Sequence, residues 1–502
     1  MSAVRPTESS QPSIQTDVGD APHPSLYNDD LAPLPAEQRR WGAFAIFNVW
    51  TNDIQSLAGY TLAASLFITA GINGWWVFAA IVLSGAFVNF LVNLTGIPSV
   101  RYGVPYAVMA RASMGVVGAR FPALIRGVVG IFWYGAQTYF ASTAVALAIN
   151  AFAADSGRAV FLGMDWVDWV SYTLVAILQI ALFARGIVWI EKFLNFAGPA
   201  VYLVMIALLA VIWVQAGDQL IPAVGAIFDN SEVQGWAAVA AFFGVMGTMI
   251  AYFSAVIINF GDFSRFSRSE ASMKRGNLTG LPVSLAFFTF LSLFITAGAY
   301  IVLQDGQGEP LTNPAEIVGL VGNPFLTVLA AVTFVVATIG INLVANFIPP
   351  AYDLCNLAPR RISFRGGGLI TAGVGFVIGG LWVATIEQIG LPTFVDTLGA
   401  LLAPLYGVLV ADYYIVQRRS LKVADLFTMD PAGRYHYTRG WNLRAIAVIA
   451  VSACFSLAAV WTPALEGLSG FAWVFGALLG GVLYTAALWG YRTNTPAGTG
   501  SG

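Results

Sequence analysis

Long apolar stretches follow one another along most of this chain, separated by short polar segments. Twelve of them can be marked, near 43–70, 75–98, 122–152, 166–184, 187–214, 236–260, 279–303, 324–347, 367–387, 392–416, 441–461 and 469–490. A helix needs roughly 20 residues to cross the hydrocarbon core of a bilayer, and each stretch is about that long. The pattern predicts an all-α integral membrane protein with twelve transmembrane helices.

Composition agrees with this interpretation and excludes several classes of function. Hydrophobic residues make up 58% of the chain and charged residues only 10%, whereas soluble domains carry roughly 25% charged residues. A net charge of −2 gives no reason to expect nucleic-acid binding. The two cysteines form no disulfide framework, and the two histidines lie outside the apolar stretches. We therefore predict no metal centre, no cofactor and no catalytic residues.

The positive charges indicate how the chain is oriented. If the N-terminus is cytoplasmic and all twelve stretches cross the membrane, every Lys and Arg except Arg158 falls on the cytoplasmic side. Cytoplasmic loops are enriched in Lys and Arg, and a wrong number of helices would destroy this asymmetry. The sequence thus predicts twelve spans with both termini inside the cell, in the cytoplasmic membrane.

Two of the apolar stretches are interrupted by polar or small residues. The first contains FNVWTNDIQS at 47–56, and the sixth contains GVMGTMIAYFSAVIINFGDF at 244–263. The two occupy matching positions if helices 1–5 and 6–10 are repeats of opposite orientation. Paired interruptions of this kind point to the midplane site of a transporter. The glycines of the sixth stretch are also compatible with ordinary close packing of helices.

Few carboxylates lie inside the apolar stretches. Asp53 is in the first interruption, and Asp396 is in the tenth stretch. A carboxylate inside a membrane is costly and is by default a candidate functional group. Asp53 could instead lie near the rim or cap the second half-helix. Asp262 and Asp412 adjoin cytoplasmic ends, where we expect structural roles and an ion pair between Asp262 and Arg265.

Two pairs of side chains recur at a spacing of four residues. Trp133 and Gln137 share one face of the third helix, and Asn342 and Asn346 share one face of the eighth. An amide in hydrocarbon needs a partner, so these side chains should face inward. A ring beside an amide suits a flat, uncharged ligand that donates and accepts hydrogen bonds. The alternative for both pairs is packing and hydrogen bonding between helices.

With these motifs in place, residues 40–440 resemble the nucleobase–cation symporter family, which includes uracil, allantoin and hydantoin transporters. The resemblance is carried by WTNDIQ at 50–55, RYGVPYAVMARASMG at 101–115, FWYGAQTY at 132–139, NFGDFSRF at 259–266, NLVANFIPPAY at 342–352 and LYGVLVADYY at 405–414. It implies a LeuT-like inverted repeat of five plus five helices in 41–440, followed by two additional transmembrane helices in 441–492. The polar ends, 1–40 and 493–502, are expected to be disordered cytoplasmic tails.

The resemblance also assigns roles to residues of the substrate site. It implies that Trp133 stacks on the substrate ring, that Gln137 and Asn346 hydrogen-bond the substrate, and that Gln55 lines the same pocket. Phe253 takes the place of a second stacking aromatic, which is a tryptophan in the hydantoin transporter. The expected substrate-binding residues are Gln55, Trp133, Gln137, Tyr252, Phe253, Asn342 and Asn346.

The expected cation site departs from that of the sodium-coupled hydantoin member. The resemblance places ligand carbonyls at Thr51, Ile54 and Ala337. Two hydroxyl side chains of the family site are replaced here by Gly340 and Ile341. About three oxygens would remain, fewer than a hard cation normally takes from protein. This favours coupling to protons.

The leading candidate for the proton carrier is Asp53, which lies in the first interruption. The alternative is sodium coupling in which the Asp53 carboxylate supplies a missing ligand.

Taken together, the sequence predicts a secondary active transporter working by alternating access. The expected substrate is a neutral planar heterocycle, uracil or allantoin first, then hydantoin or cytosine, imported as a symporter with H+, or else with Na+. A channel would show a polar stripe or filter, and a membrane enzyme a catalytic cluster at one face. The sequence shows neither. Membrane lipid and the small molecule are the only partners expected, and the protein should act as a monomer.

Overall fold

The computed structural model describes residues 18–19, 22–150, 152, 159–227, 233–320 and 324–489. Its α-helices are α1 Ala43–Ile54, α2 Leu57–Thr69, α3 Gly74–Tyr102, α4 Tyr106–Met114, α5 Arg120–Asn150, α6 Trp166–Ala184, α7 Ile187–Ala216, α8 Leu220–Ile227, α9 Trp236–Tyr252, α10 Ser254–Asn259, α11 Gly261–Ser264, α12 Glu270–Leu278, α13 Ser284–Leu303, α14 Pro314–Leu320, α15 Pro324–Ile341, α16 Ile348–Leu357, α17 Phe364–Gly380, α18 Leu391–Ala411, α19 Leu443–Trp461 and α20 Ala472–Ala487. Arg158 and the tail 493–502 lie outside the described residues.

Eight helical stretches in the described part of the chain are long and apolar enough to cross a membrane, and a ninth is bent by 55° after Gly380. They correspond to nine of the twelve predicted segments. The other three are the first and sixth, which are broken into shorter helices, and the third, α5, whose polar side chains lower its hydropathy. The structure is therefore consistent with twelve crossings.

Both predicted interruptions are breaks in the helix. The first break falls at Gln55 and Ser56, between α1 and α2. The Ser56 hydroxyl accepts a hydrogen bond from the backbone N–H of Gly59 at 2.8 Å and so caps the second half-helix. The second break falls at Phe253, between α9 and α10. Backbone groups exposed at such breaks are tolerated inside a membrane protein only where protein or a cavity surrounds them.

The long helix α5 lies at the centre of the molecule. It packs against α6, α15, α16 and α17, while α1 packs against α7, α12 and α15. Gly135 permits α5 and α17 to approach closely, because a Cβ there would lie 2.7 Å from the backbone of Gly375 and Gly379 on α17. The broken helix α9–α10 packs mainly against α3 and α18.

Residues 22–40, which belong to the tail that the sequence predicted to be disordered, pack against the rest of the chain. Leu26 and Leu31 are buried there. The Asn28 amide donates to the carbonyls of Pro359 and Ile362, just before α17, and the Arg39 guanidinium donates to the carbonyl of Val100, in α3. Polar residues and prolines make up most of this segment, and therefore composition alone predicted disorder. A few buried apolar residues, Leu26 and Leu31 among them, attach the segment to the rest of the chain.

Candidate substrate and ion site

A small enclosed cavity lies beside the two helix breaks. Its walls come from α1, α5, the α9–α10 break, the end of α15 and the π-helical turn that follows α15. Its lining residues are Asp53, Trp133, Gln137, Tyr252, Ala255, Val256, Ile341, Ala345 and Asn346. The space measures about 10 Å³, about enough for one water molecule. This conformation is closed around the site, and a heterocycle requires the walls to move apart.

Helical geometry brings Trp133 and Gln137 into this cavity as the spacing predicts. Both are on α5 and both are buried. The Trp133 ring meets the edge of Tyr252 at 5.7 Å between ring centroids and that of Phe394, on α18, at 5.0 Å. Sequence reasoning missed Phe394, because nothing in its local pattern distinguishes it from the other aromatic residues of an apolar helix.

Gln137 is the residue that indicates a ligand site most directly. Among the described residues, neither its side-chain nitrogen nor its side-chain oxygen has a hydrogen-bond partner. The Tyr252 hydroxyl lies near the Gln137 amide, and it is bonded to Ser56 Oγ at 3.1 Å. Leaving a buried polar group unpaired costs roughly 1–3 kcal/mol. A buried amide without partners at the wall of a cavity is suited to a ligand that donates and accepts hydrogen bonds.

The two asparagines of the eighth segment have different positions. Asn346 lines the cavity and donates its amide N–H to Asn342 Oδ1 at 2.9 Å. Asn342 lies behind it and donates to Gln179 Oε1 on α6 at 2.6 Å and to the carbonyl of Tyr134 on α5 at 3.1 Å. Both lie in a π-helical turn, Asn342–Phe347. Helical turns of this kind often occur at functional sites.

Phe253 and Gln55 do not line this cavity. The Phe253 ring packs edge-on against Trp50 at 6.5 Å and against Tyr252 at 5.1 Å. Tyr252, rather than Phe253, presents its ring to Trp133. Gln55 lines a neighbouring small cavity together with Tyr60, Val201 and Ala337, among others. Both polar atoms of the Gln55 side chain lack partners among the described residues.

Asp53 is buried, at 3% exposure, and it lines the main cavity. It is therefore not at the rim, and Ser56 rather than Asp53 caps α2. The positive charge that acts on it electrostatically is that of Arg126. Asp262 was expected to pair with Arg265. Instead it accepts from the backbone N–H of Tyr106 at 2.8 Å and from the Asn259 amide at 3.0 Å.

The region of the expected sodium site is occupied by an amide side chain. A Cβ added to Gly340 would collide with the Asn52 side chain. Asn52 is held there by hydrogen bonds to the carbonyls of Asn48 and Leu194, at 2.8 and 2.9 Å. The Thr51 hydroxyl is 3.4 Å from Ser284 Oγ. The glycine that lacks the family hydroxyl thus makes room for Asn52.

Comparison with known proteins decides the family. Residues 33–483 match the family model described as permeases for cytosine and purines, uracil, thiamine and allantoin. The chain belongs to this permease family. The resemblance predicted from the motifs is confirmed, and so is the prediction of a transporter rather than an enzyme.

Individual relatives support the same family assignment. The permease is 32% identical to the allantoin permease of Bacillus subtilis over 94% of both chains. It is 29% identical to the purine-uracil permease of Arabidopsis thaliana, over 85% of this chain and 70% of that one. Its structure is similar to that of Mhp1, a nucleobase-cation-symport-1 family transporter in a closed conformation with bromovinylhydantoin bound. That similarity has a TM-score of 0.76 and 22% identity, and it covers 94% of this chain and 97% of that one. The predicted LeuT-like fold is confirmed.

Proposed function

We propose that the permease imports a neutral planar heterocycle with cyclic amide or imide groups, of the uracil or allantoin class. The observation that carries this proposal is Gln137, a buried amide without partners beside the Trp133 ring. A cyclic imide presents N–H donors and carbonyl acceptors in one plane, which would pair with an amide while its face stacks on the ring. The relatives named for allantoin and for purine and uracil transport support this class.

The cavity wall also favours an uncharged ligand. Its polar lining residues are Asp53, Gln137, Tyr252 and Asn346, and no lining residue is Lys or Arg. Arg126 lies directly below, but its guanidinium faces backbone carbonyls of the wall. A carboxylate substrate would meet the Asp53 carboxylate without a cationic partner in the wall. In our proposal Trp133, Gln137, Tyr252 and Asn346 contact the substrate, while Asn342 and Phe253 support them from behind. Gln55 joins the site only if the two cavities merge when it opens.

Coupling is proposed to be with protons, through Asp53. Asn52 occupies the place against Gly340 where the sodium-coupled relative would use a hydroxyl ligand, and Asp53 is a buried carboxylate at the cavity itself. We propose that Asp53 takes up a proton when the site faces outward and releases it when the site faces the cytoplasm. The second candidate is sodium coupling. It is favoured by the side-chain oxygen of Asn52, which has no partner among the described residues, together with the carbonyls of Thr51, Ile54 and Ala337.

The test is uptake of radiolabelled uracil, allantoin, hydantoin and cytosine into proteoliposomes at fixed membrane potential. We expect uptake of at least one of them to rise as external pH falls and to be unaffected by replacing sodium with choline. Asp53→Asn should abolish the pH dependence, while the exposed Asp305→Asn serves as the matched control. Sodium-dependent uptake with a flat pH response would overturn proton coupling. Uptake of an α-amino acid that none of the heterocycles inhibits would overturn the substrate class.

We further propose that the permease acts as a monomer in the cytoplasmic membrane with both termini inside. The cytoplasmic concentration of Lys and Arg supports this orientation.

A further inference from the structure

A second cavity lies between the start of α18, the end of α19 and the 3₁₀ helix Pro463–Phe471 that follows α19. Its volume is about 360 Å³, and pockets that hold small molecules measure roughly 300–1,000 Å³. Its walls combine hydroxyl side chains, the Trp461 indole and two prolines with one carboxylate, that of Asp396. No residue is shared with the lining of the candidate substrate site.

The cavity is at the end of the molecule opposite the packed residues 22–40. The carbonyl of Arg419, just after α18, accepts a hydrogen bond from the hydroxyl of Tyr102, the last residue of α3. Arg39 donates to the backbone in the same turn of α3, so α18 ends near residues 22–40 and begins on the far side. Asp396 is five residues, about 7.5 Å, beyond the first residue of α18. In the orientation proposed above, the cavity therefore lies near the external surface.

The Asp396 carboxylate is buried at the wall of this cavity without a cationic partner. The residue is 6% exposed. Its Oδ2 accepts a hydrogen bond from the hydroxyl of Thr248, on α9, at 3.4 Å, whereas Oδ1 has no partner among the described residues. No Lys, Arg or His in the described ranges forms an ion pair with it. Burying a carboxylate is costly unless it is paired, so Asp396 is suited to a ligand that brings a positive charge.

The size and the other walls of the cavity favour an organic cation over a metal ion. A water molecule occupies about 30 Å³ of liquid volume, so a metal ion would leave most of the cavity unfilled. Trp461 and Pro463 supply apolar surface for the body of a ligand, while Ser469 carries a hydroxyl group that can accept an N–H bond. The Trp461 indole N–H donates to Thr397 Oγ1 at 3.0 Å, which anchors the ring in the wall. Ammonium groups are also attracted to aromatic rings.

We propose that this cavity is an external binding site for a small primary ammonium that carries an apolar ring. The ammonium donates to Asp396 Oδ1 and supplies the charge that the buried carboxylate lacks. The apolar ring packs against Trp461 and Pro463. Trp461 and Thr462 are exposed, so the ligand has access from outside.

The proposed site adjoins the substrate cavity without sharing its residues. Thr248, which is bonded to Asp396, is one helical turn before the cavity residue Tyr252 on α9. Phe394, two residues before Asp396, packs against Trp133, another cavity residue, with 5.0 Å between ring centroids. The ammonium site is thus separate from the substrate cavity and in contact with helices that enclose it.

The test is equilibrium binding of radiolabelled phenethylammonium to the purified permease in nanodiscs at neutral pH, measured by scintillation proximity. We expect saturable binding that unlabelled phenethylammonium displaces. At the same concentration 2-phenylethanol, which carries a hydroxyl in place of the ammonium, should not displace it. Asp396→Asn should weaken binding about tenfold or more, because a charge-assisted hydrogen bond is lost. Asp305→Asn, at an exposed carboxylate after α13, is the matched control and should leave binding unchanged.

A second pair of variants locates the ligand while the carboxylate stays in place. Ser469→Phe puts a ring into the cavity from the 3₁₀ helix and should abolish saturable binding. Ser469→Ala, which removes only a hydroxyl, should retain it. These two variants decide the location even if Asp396→Asn does not fold, and thermal unfolding shows that each variant is folded.

Absence of saturable binding, equal displacement by 2-phenylethanol or unchanged affinity in Asp396→Asn would overturn the proposal, and so would binding retained in Ser469→Phe. Displacement by uracil or allantoin would place the amine in the substrate cavity, where Asp53 is the carboxylate, and would equally rule out the external site.

Discussion

Asn346 donates its side-chain N–H to the side-chain oxygen of Asn342 at 2.9 Å. The two asparagines share one helix face, but Asn346 lines the cavity and Asn342 lies behind it. Asn342 binds Gln179 and the backbone of α5 and therefore joins three segments. We expect Asn342→Ala to lower the free energy of unfolding by about 1–3 kcal/mol, because buried partners are left unpaired. Thermal unfolding in detergent, followed by intrinsic fluorescence, measures this.

Asn346→Ala should affect substrate affinity more than stability, the reverse of Asn342→Ala. Substrate affinity should fall by about 1–3 kcal/mol through an unpaired substrate group, and the melting temperature should change less than in Asn342→Ala. Equilibrium binding of the radiolabelled substrate, performed on both variants in parallel, gives the comparison. If the asparagines exchange these phenotypes, Asn342 rather than Asn346 contacts the substrate.

Trp133 is expected to supply stacking. Trp133→Ala should weaken binding by about 1–3 kcal/mol, the range for a base stacked on an aromatic side chain, and Trp133→Phe should retain part of that. Phe253→Ala is the control. It removes a ring that packs behind the cavity on Trp50 and Tyr252 without lining the cavity, so it should lower stability more than affinity. Unchanged affinity in a well-folded Trp133→Ala protein would remove α5 from the substrate site.

Gln137 allows a test in which stability and binding change in opposite directions. Its amide is buried without partners among the described residues, so Gln137→Leu removes an unsatisfied group at similar volume. We expect the unliganded protein to become more stable by about 1 kcal/mol and substrate affinity to fall by about 1–3 kcal/mol. A loss of stability would mean that Gln137 has a structural partner, and the argument for a ligand there would fail.

Gly340 and Asn52 form a pair whose substitutions should not be additive. A side chain at Gly340 would collide with Asn52. Gly340→Ala should therefore destabilise the protein by about 1–3 kcal/mol through overpacking. The double variant with Asn52→Ala should recover part of this loss, a coupling measured by a double-mutant cycle of unfolding free energies. Additive losses would show that the two side chains do not compete for the same space.

The sequence predicted the fold well, because hydropathy and the distribution of Lys and Arg are strong signals in a membrane protein. Both helix breaks, at Ser56 and Phe253, fall inside the stretches that it marked as interrupted, 47–56 and 244–263. It also placed Trp133 and Gln137 on one face, since a regular helix fixes that relationship. These are local properties, and a linear sequence displays them.

What the sequence could not predict depends on contacts between distant segments. Asn342 and Asn346 have the same spacing as Trp133 and Gln137. Only the neighbouring α6 shows that the Asn342 side chain is already hydrogen-bonded within the protein, to Gln179. Arg126 was counted among the cytoplasmic cations, although it is buried beneath the cavity. Phe253 was assigned a stacking role by position, but its ring packs against Tyr252 and Trp50 and does not line the cavity. Side-chain direction at a helix break is set by tertiary packing.

The helix breaks in the first and sixth segments and the polar residues of the third have a consequence for biogenesis. The first, third and sixth segments are the ones that do not meet the criterion for an independent span in the described chain. Polar residues raise the free energy of inserting an isolated helix into a bilayer. During synthesis these three segments would depend on more apolar neighbours such as α3 and α7 to remain in the membrane. Substitutions at the lipid-facing surface of those neighbours should therefore reduce the yield of inserted protein without touching the site.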